Sequence, residues 1–195
     1  AQASFERATR LPFRSDGVID LDRWEVMNNL GRIRQMKHKY GEAENAFKQA
    51  LQLADAVLGP ANPTLALVHD NLGSLYTEMQ RFTEAENQFH QSLAIFEQAG
   101  SQFQAFAVAH TLYELARTYV AEHNEVRAQP LLERAAVMAR QQRAGAELPE
   151  APMIFDLYAK VLEDLSKSAE AGNMQAEARR ARAARSFTVP VRSLN

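Results

Sequence analysis

A 42-residue self-similarity constrains this chain more than any other feature. Residues 28–51 read NNLGRIRQMKHKYGEAENAFKQAL and residues 70–93 read DNLGSLYTEMQRFTEAENQFHQSL, with ten of the 24 aligned positions identical. Leu30, Gly31, Ala43, Phe47 and Leu51 recur as Leu72, Gly73, Ala85, Phe89 and Leu93. The register continues at an offset of 43, where Leu115, Ala116, Tyr119, Ala128, Leu132 and Ala135 answer Leu72, Gly73, Tyr76, Ala85, Phe89 and Ser92. A weaker fourth copy follows in Tyr158, Ala159, Ala171 and Ala178. A fixed period of this length marks a unit that cannot bury its apolar face alone and must stack on copies of itself.

Within each copy the apolar residues follow helical spacing. That spacing predicts leading helices near 21–37, 63–79, 103–121 and 151–167, and second helices near 41–57, 83–99, 125–143 and 170–186. Gly59 can cap the end of one helix, Asn62 can cap the start of the next, and Pro63 suits its first turn. Small residues recur at two phases, Gly31, Gly73 and Ala116 in leading helices and Ala43, Ala85 and Ala128 in second helices. A larger side chain there would push paired helices apart, so these six are read as packing positions. The apolar stripe through Phe47, Tyr76, Phe89, Leu93, Phe96 and Tyr119 is read as core.

The expected organisation is a single solenoid over residues 1–186. Residues 1–10 form the second helix of an incomplete repeat, because counting back 42 from Ala43, Phe47 and Ala50 lands on Ala1, Phe5 and Ala8. Alternatively they form a simple capping helix or a mature exported start. Repeats follow over 21–60, 63–100 and 103–143, then a degenerate capping repeat over 151–186 and an extended tail over 187–195. Trp24 is expected to pack on the residue 1–10 helix.

Net charge of −2 gives no general electrostatic case for nucleic acid or a membrane surface. No run approaches the roughly 20 apolar residues of a membrane helix. The chain has no cysteine, which excludes disulfides and thiolate metal sites and leaves the compartment open. No activated nucleophile, phosphate-binding glycine loop or contextual carboxylate pair is present, so the chain is read as a non-enzyme without cofactors. His110 and Glu114 have a spacing that can place two ligands on a metal, but no third ligand is apparent and no metal site is assigned.

The NNLG run, the Y-G-E-A-E run, the spaced Phe and Ala-Leu, and LGPANP before the next helix resemble the tetratricopeptide repeat in its 42-residue, kinesin-light-chain-like form. The third copy adds AQPLL. Two positions depart from the pattern: Arg34 stands where later copies have Tyr76 and Tyr119, and Gln175 replaces the large aromatic of the fourth copy. The resemblance implies an all-α, right-handed superhelical solenoid of antiparallel helix pairs, with leading helices lining a concave groove that binds a peptide or partner protein.

Helical spacing places Glu25, Asn28, Asn29, Arg32 and Gln35 on the exposed side of the first leading helix. The second gives Leu67, Asp70, Asn71, Ser74 and Thr77, and the third His110, Tyr113, Glu114, Arg117 and Val120. From these, Asn28, Asn29, Arg32, Asn71, Ser74, His110, Tyr113 and Arg117 are the candidate partner-binding residues. An amide both donates and accepts, so Asn29 and Asn71 can pair with an extended backbone, while Arg32 and Arg117 can hold acidic groups. Some tetratricopeptide domains clamp the C-terminal carboxylate of heat-shock chaperones with asparagines and basic residues. Asn29 and Asn71 match that pattern, but Glu25, His110 and Glu114 stand where it wants basic groups, and the two acids would repel such a ligand.

Two other readings stay open. One is a scaffold that assembles through its convex face or its ends, the incomplete repeat exposing Phe5 and Leu11 for end-to-end self-association. The more remote one is RNA or anionic-surface binding through Arg179, Arg180, Arg182 and Arg185. Nucleic acid is not the expected partner.

Overall fold

The computed structural model describes residues 23–100, 104–141 and 149–187, and all regular structure among them is helical. The helices are α1 (Arg23–Met36), α2 (Tyr40–Leu58), α3 (Pro63–Glu78), α4 (Phe82–Ala99), α5 (Gln104–Ala121), α6 (Glu125–Gln141), α7 (Ala151–Asp164) and α8 (Ser168–Phe187). They fall into two compact units, Ala1–Gln104 and Ala105–Asn195, each built from two helix pairs. The expected helix at residues 1–10 and the tail after Phe187 lie outside the described residues.

Each pair is closed by the same turn. Lys39, Arg81, Asn124 and Lys167 each donate a backbone N–H to the carbonyl five residues back, on Arg34, Tyr76, Tyr119 and Leu162, at 2.7–2.9 Å. The residue before each donor is left-handed: His38, Gln80, His123 and Ser166 have φ of 56–62°. This is the Schellman end, which satisfies the last carbonyls of the leading helix and reverses the chain. The junction between pairs is built differently. Gly59 takes φ 79° and ψ 160°, open in practice only to glycine and outside the left-handed helical region expected for it. Asn62 Oδ1 then accepts from the Thr64 amide at 2.9 Å, and Pro63 opens α3.

In the first unit α1 packs on α2, α3 on α4, and α2 on α3, while α1 also touches α3. Two glycines leave no room for a side chain where the paired helices meet. A Cβ on Gly31 would stand 2.5 Å from Cε1 of Phe47, and one on Gly73 would stand 2.7 Å from Cζ of Phe89. Both rings are wholly buried, so the absent side chain makes the room that each ring fills. Ala43 and Ala85 are also fully buried. Trp24 packs against the cluster of Met27, Leu30, Ala46, Ala50 and Val68.

The second unit repeats the plan with smaller partners. Ala116 stands at the glycine phase and Leu132 at the phenylalanine phase, and both are fully buried together with Ala128. A shorter ring-less side chain leaves space for the extra methyl. The Arg127 guanidinium lies 4.1 Å from the Tyr119 ring centroid, joining α6 to α5. α7 then packs on α6 and on α8 around Ile154, Val161 and Leu162.

Successive repeats of the first unit are also tied by charge. Glu44 of α2 accepts from the Tyr76 hydroxyl at 3.1 Å and pairs with Arg81 at 2.8 Å and Lys48 at 2.7 Å. Arg81 also stacks 4.3 Å over Tyr76. Burial raises the Glu44 pKa, but the hydrogen bonds from Lys48, Arg81 and Tyr76 outweigh it and the net direction is down. A carboxylate depressed on folding stabilises above its unfolded pKa and loses that contribution as pH falls through the folded one. Stability should therefore fall from about pH 4.5 downward more steeply in the parent than in Glu44→Gln. Urea midpoints at pH 7, 5 and 4 check this, and parallel pH profiles would refute it.

Candidate functional site

Asparagines on the leading helices of the first unit do not stand alone. Asn71 Nδ2 donates to Asn28 Oδ1 at 2.8 Å, bridging α3 to α1. Two turns further along both helices, Gln35 Nε2 donates to Glu78 Oε1 at 2.7 Å. These rungs fix the register of the two leading helices. They also align the amides: the Asn28 NH2 group and Asn71 Oδ1 keep hydrogen-bonding capacity beyond the rung. Asn29 and Ser74 are half-buried beside it, Arg32 is exposed, and none of the three has a side-chain partner among the described residues. Leu67, on the same face of α3, is 49% exposed.

Asp70 was expected on this exposed side and is instead buried, at 5% exposure. Tyr113, its counterpart in the second unit, is likewise buried at 7%. For Tyr113 the correction has a geometric cause, since this register turns toward the following leading helix α7 rather than into the open. Burial raises the Tyr113 pKa, with Glu150 and Asp156 from the α7 region adding to it and Arg117 opposing. In α7 the same register holds Asp156, which pairs with Arg182 of α8.

The remaining candidates of the second unit, Arg117 and His110, differ in how far they are engaged. Arg117 donates to both carboxylate oxygens of Glu114 at 2.9 Å and lies 5.8 Å from the Tyr113 ring centroid. His110 is half-buried, with Nδ1 3.9 Å from a Glu150 oxygen. That separation is too long for a hydrogen bond, and among the described residues Nδ1 makes none, Glu114 is held by Arg117, and no three metal-ligating side chains gather. In the arginine edge, Arg182 pairs with Asp156 and Arg180 lies 3.6 Å from Glu177, so its charge is partly met from within the unit. No helix of the described residues is long and apolar enough to cross a membrane.

Stacked antiparallel helix pairs with one leading and one second helix per repeat define an α-solenoid protein. Residues 25–98 match the family model of the tetratricopeptide repeat, and the helix pairs share the fold of kinesin-light-chain-like repeats. BtubC (BKLC) from P. vanneervenii superposes with a TM-score of 0.77 at 20% identity, over 97% of this chain and 73% of that one. The nearly identical TPR-like kinesin light chain repeats of Podosopora anserina give 0.70 at 20% identity, over 93% and 85%. The apo form of RapI gives 0.60 at 13% identity, over 95% and 77%. These likenesses are of fold. No curated protein matches the chain. Tetratricopeptide repeats form protein–protein interaction modules, and that general role extends to this chain.

Proposed function

We propose that the leading-helix face of the first unit is a groove that binds an extended segment of a partner protein, with no chemistry performed on it. The carrying observation is the Asn28–Asn71 bridge, which spans two helices and still offers a donor and an acceptor. An extended backbone presents one N–H and one C=O per residue, so such a pair can meet it whatever its side chains. Asn29 and Ser74 add unpartnered polar groups, and Leu67 adds exposed apolar surface.

Arg32 and Arg117 are no longer equivalent candidates for an acidic group. Arg117 Nη1 is already shared between both Glu114 oxygens, whereas Arg32 is exposed without a side-chain partner among the described residues. The acidic contact is therefore assigned to Arg32.

The double variant Asn29→Ala/Arg32→Ala should keep its fold, since neither side chain belongs to the buried core. With about 0.5–1.5 kcal/mol per neutral hydrogen bond and more for a charged one, partner affinity should fall roughly tenfold to a hundredfold. Isothermal titration with a partner segment recovered by pull-down measures it. Undiminished binding, together with loss on changing the exposed second-helix residues Lys48 and His90, would replace the groove reading with the scaffold one.

A further inference from the structure

A cleft of about 470 Å³ opens on the opposite side of α3, between the C-terminal halves of α2 and α4. Its α3 wall is Leu65 and His69. Leu65 and Ser74 lie about 180° apart around the helix at 3.6 residues per turn, so the cleft is separate from the proposed groove. The floor is apolar, with Leu51 half-buried and Leu65 and Ile95 buried. The polar side chains around it are Asp55, His69 and the glutamines Gln52, Gln91 and Gln98, whose amides both donate and accept. With Gln88 Oε1 as the acceptor at 2.8 Å, His69 Nδ1 carries the ring proton and Nε2 is left as a bare acceptor. Burial lowers the His69 pKa against the opposing hydrogen bond to Gln88, which keeps the ring neutral at pH 7. Asp55 is exposed at the rim and has no cationic partner among the described residues.

Two further facts give the cleft its sign. α2 and α4 both end beside it, and neither has a basic residue in its last turn to offset the negative end of the helix dipole. Asp55 is the one ionised carboxylate among the residues that line the cleft. Among the described residues lining the cleft there is no lysine or arginine.

We infer that this cleft receives a basic side chain, arginine or lysine, projecting from a partner protein. Its aliphatic stem would lie on Leu51 and Ile95, and its charged head would reach Asp55 and the acceptors along His69 and Gln98. This is a second docking point, of opposite charge preference to Arg32 on the groove side.

The test uses the full chain, isotope-labelled, titrated with the acetylated and amidated peptide Ala-Leu-Arg-Leu-Ala and, in parallel, with its Ala-Leu-Glu-Leu-Ala counterpart. The arginine peptide should shift the His69 ring nitrogens and the amides of Leu51 and Ile95 in a saturable way. Asp55→Asn should weaken it about fivefold or more, in the range of charge-assisted contacts. Asp55→Lys, which places a cation at the rim, should abolish it. Asn29→Ala/Arg32→Ala should leave it unchanged, which separates this site from the groove. Equal shifts from the glutamate peptide, an unaltered affinity in both Asp55 variants, or no saturable shift up to about 10 mM peptide would overturn the inference.

Discussion

Phe47→Ala is expected to destabilise the chain by about 3–5 kcal/mol, the cost of emptying a fully buried aromatic site. Phe47 is wholly buried and its ring sits in the hollow left by Gly31. Collapse cannot refill the space, because Leu30, Ala43 and Ala46 around it are held by the register of two helices. In a stacked array the loss passes to the adjoining pair through the α2–α3 contact, so α3 and α4 should lose amide protection as well. Urea unfolding followed by circular dichroism gives the energy, and hydrogen exchange gives the spread. A loss below about 1 kcal/mol would mean that the ring is not the wedge that joins α1 to α2.

Much of this packing is legible from the period alone. Gly31 and Gly73 recur beside Phe47 and Phe89, and a residue that stays small at one phase while its answer stays large at another signals a close contact. The third copy makes the point by changing both members, to Ala116 and Leu132. The helix ends are legible where glycine, asparagine and proline mark them, as at Gly59, Asn62 and Pro63. They are silent where His38, Gln80, His123 and Ser166 take the left-handed position, because no glycine announces it. Only their spacing of 42 or 43 residues could have located those turns.

The candidate site was less legible. Helical spacing finds a face to within a residue or so, and that margin separates exposed Arg32 from buried Asp70 and Tyr113. Which side chains already hold one another depends on the lateral register of neighbouring helices, which one copy of the pattern does not encode. Hence the Asn28–Asn71 bridge emerges only once the helices are placed, whereas the Arg117–Glu114 pair, three residues apart on one helix, lay within reach of the spacing. The cleft behind α3 escaped for a related reason, as its walls come from three helices and no motif names them.

Gly73→Leu is expected to cost about 3 kcal/mol, toward the upper end for overpacked sites. Even the first added carbon would stand 2.7–2.9 Å from three atoms of the Phe89 ring. Phe89 is fully buried, with Ala85 and Leu93 buried a turn to either side of it, so the ring has nowhere to swing. The helices must part instead, and the Asn71–Asn28 and Glu78–Gln35 rungs on α3 would be strained with them. For a domain of this size about 3 kcal/mol lowers the thermal midpoint by roughly 6–12 °C. A compensating pair distinguishes steric overlap from the loss of a flexible residue. Gly73→Ala/Phe89→Leu copies the Ala116 and Leu132 pairing of the third repeat, where both residues are fully buried. It should unfold at a higher temperature than Gly73→Ala alone, although Phe89→Leu by itself removes core volume. If the second change only adds to the first, the two sites are not in steric conflict and the glycine is required for some other reason.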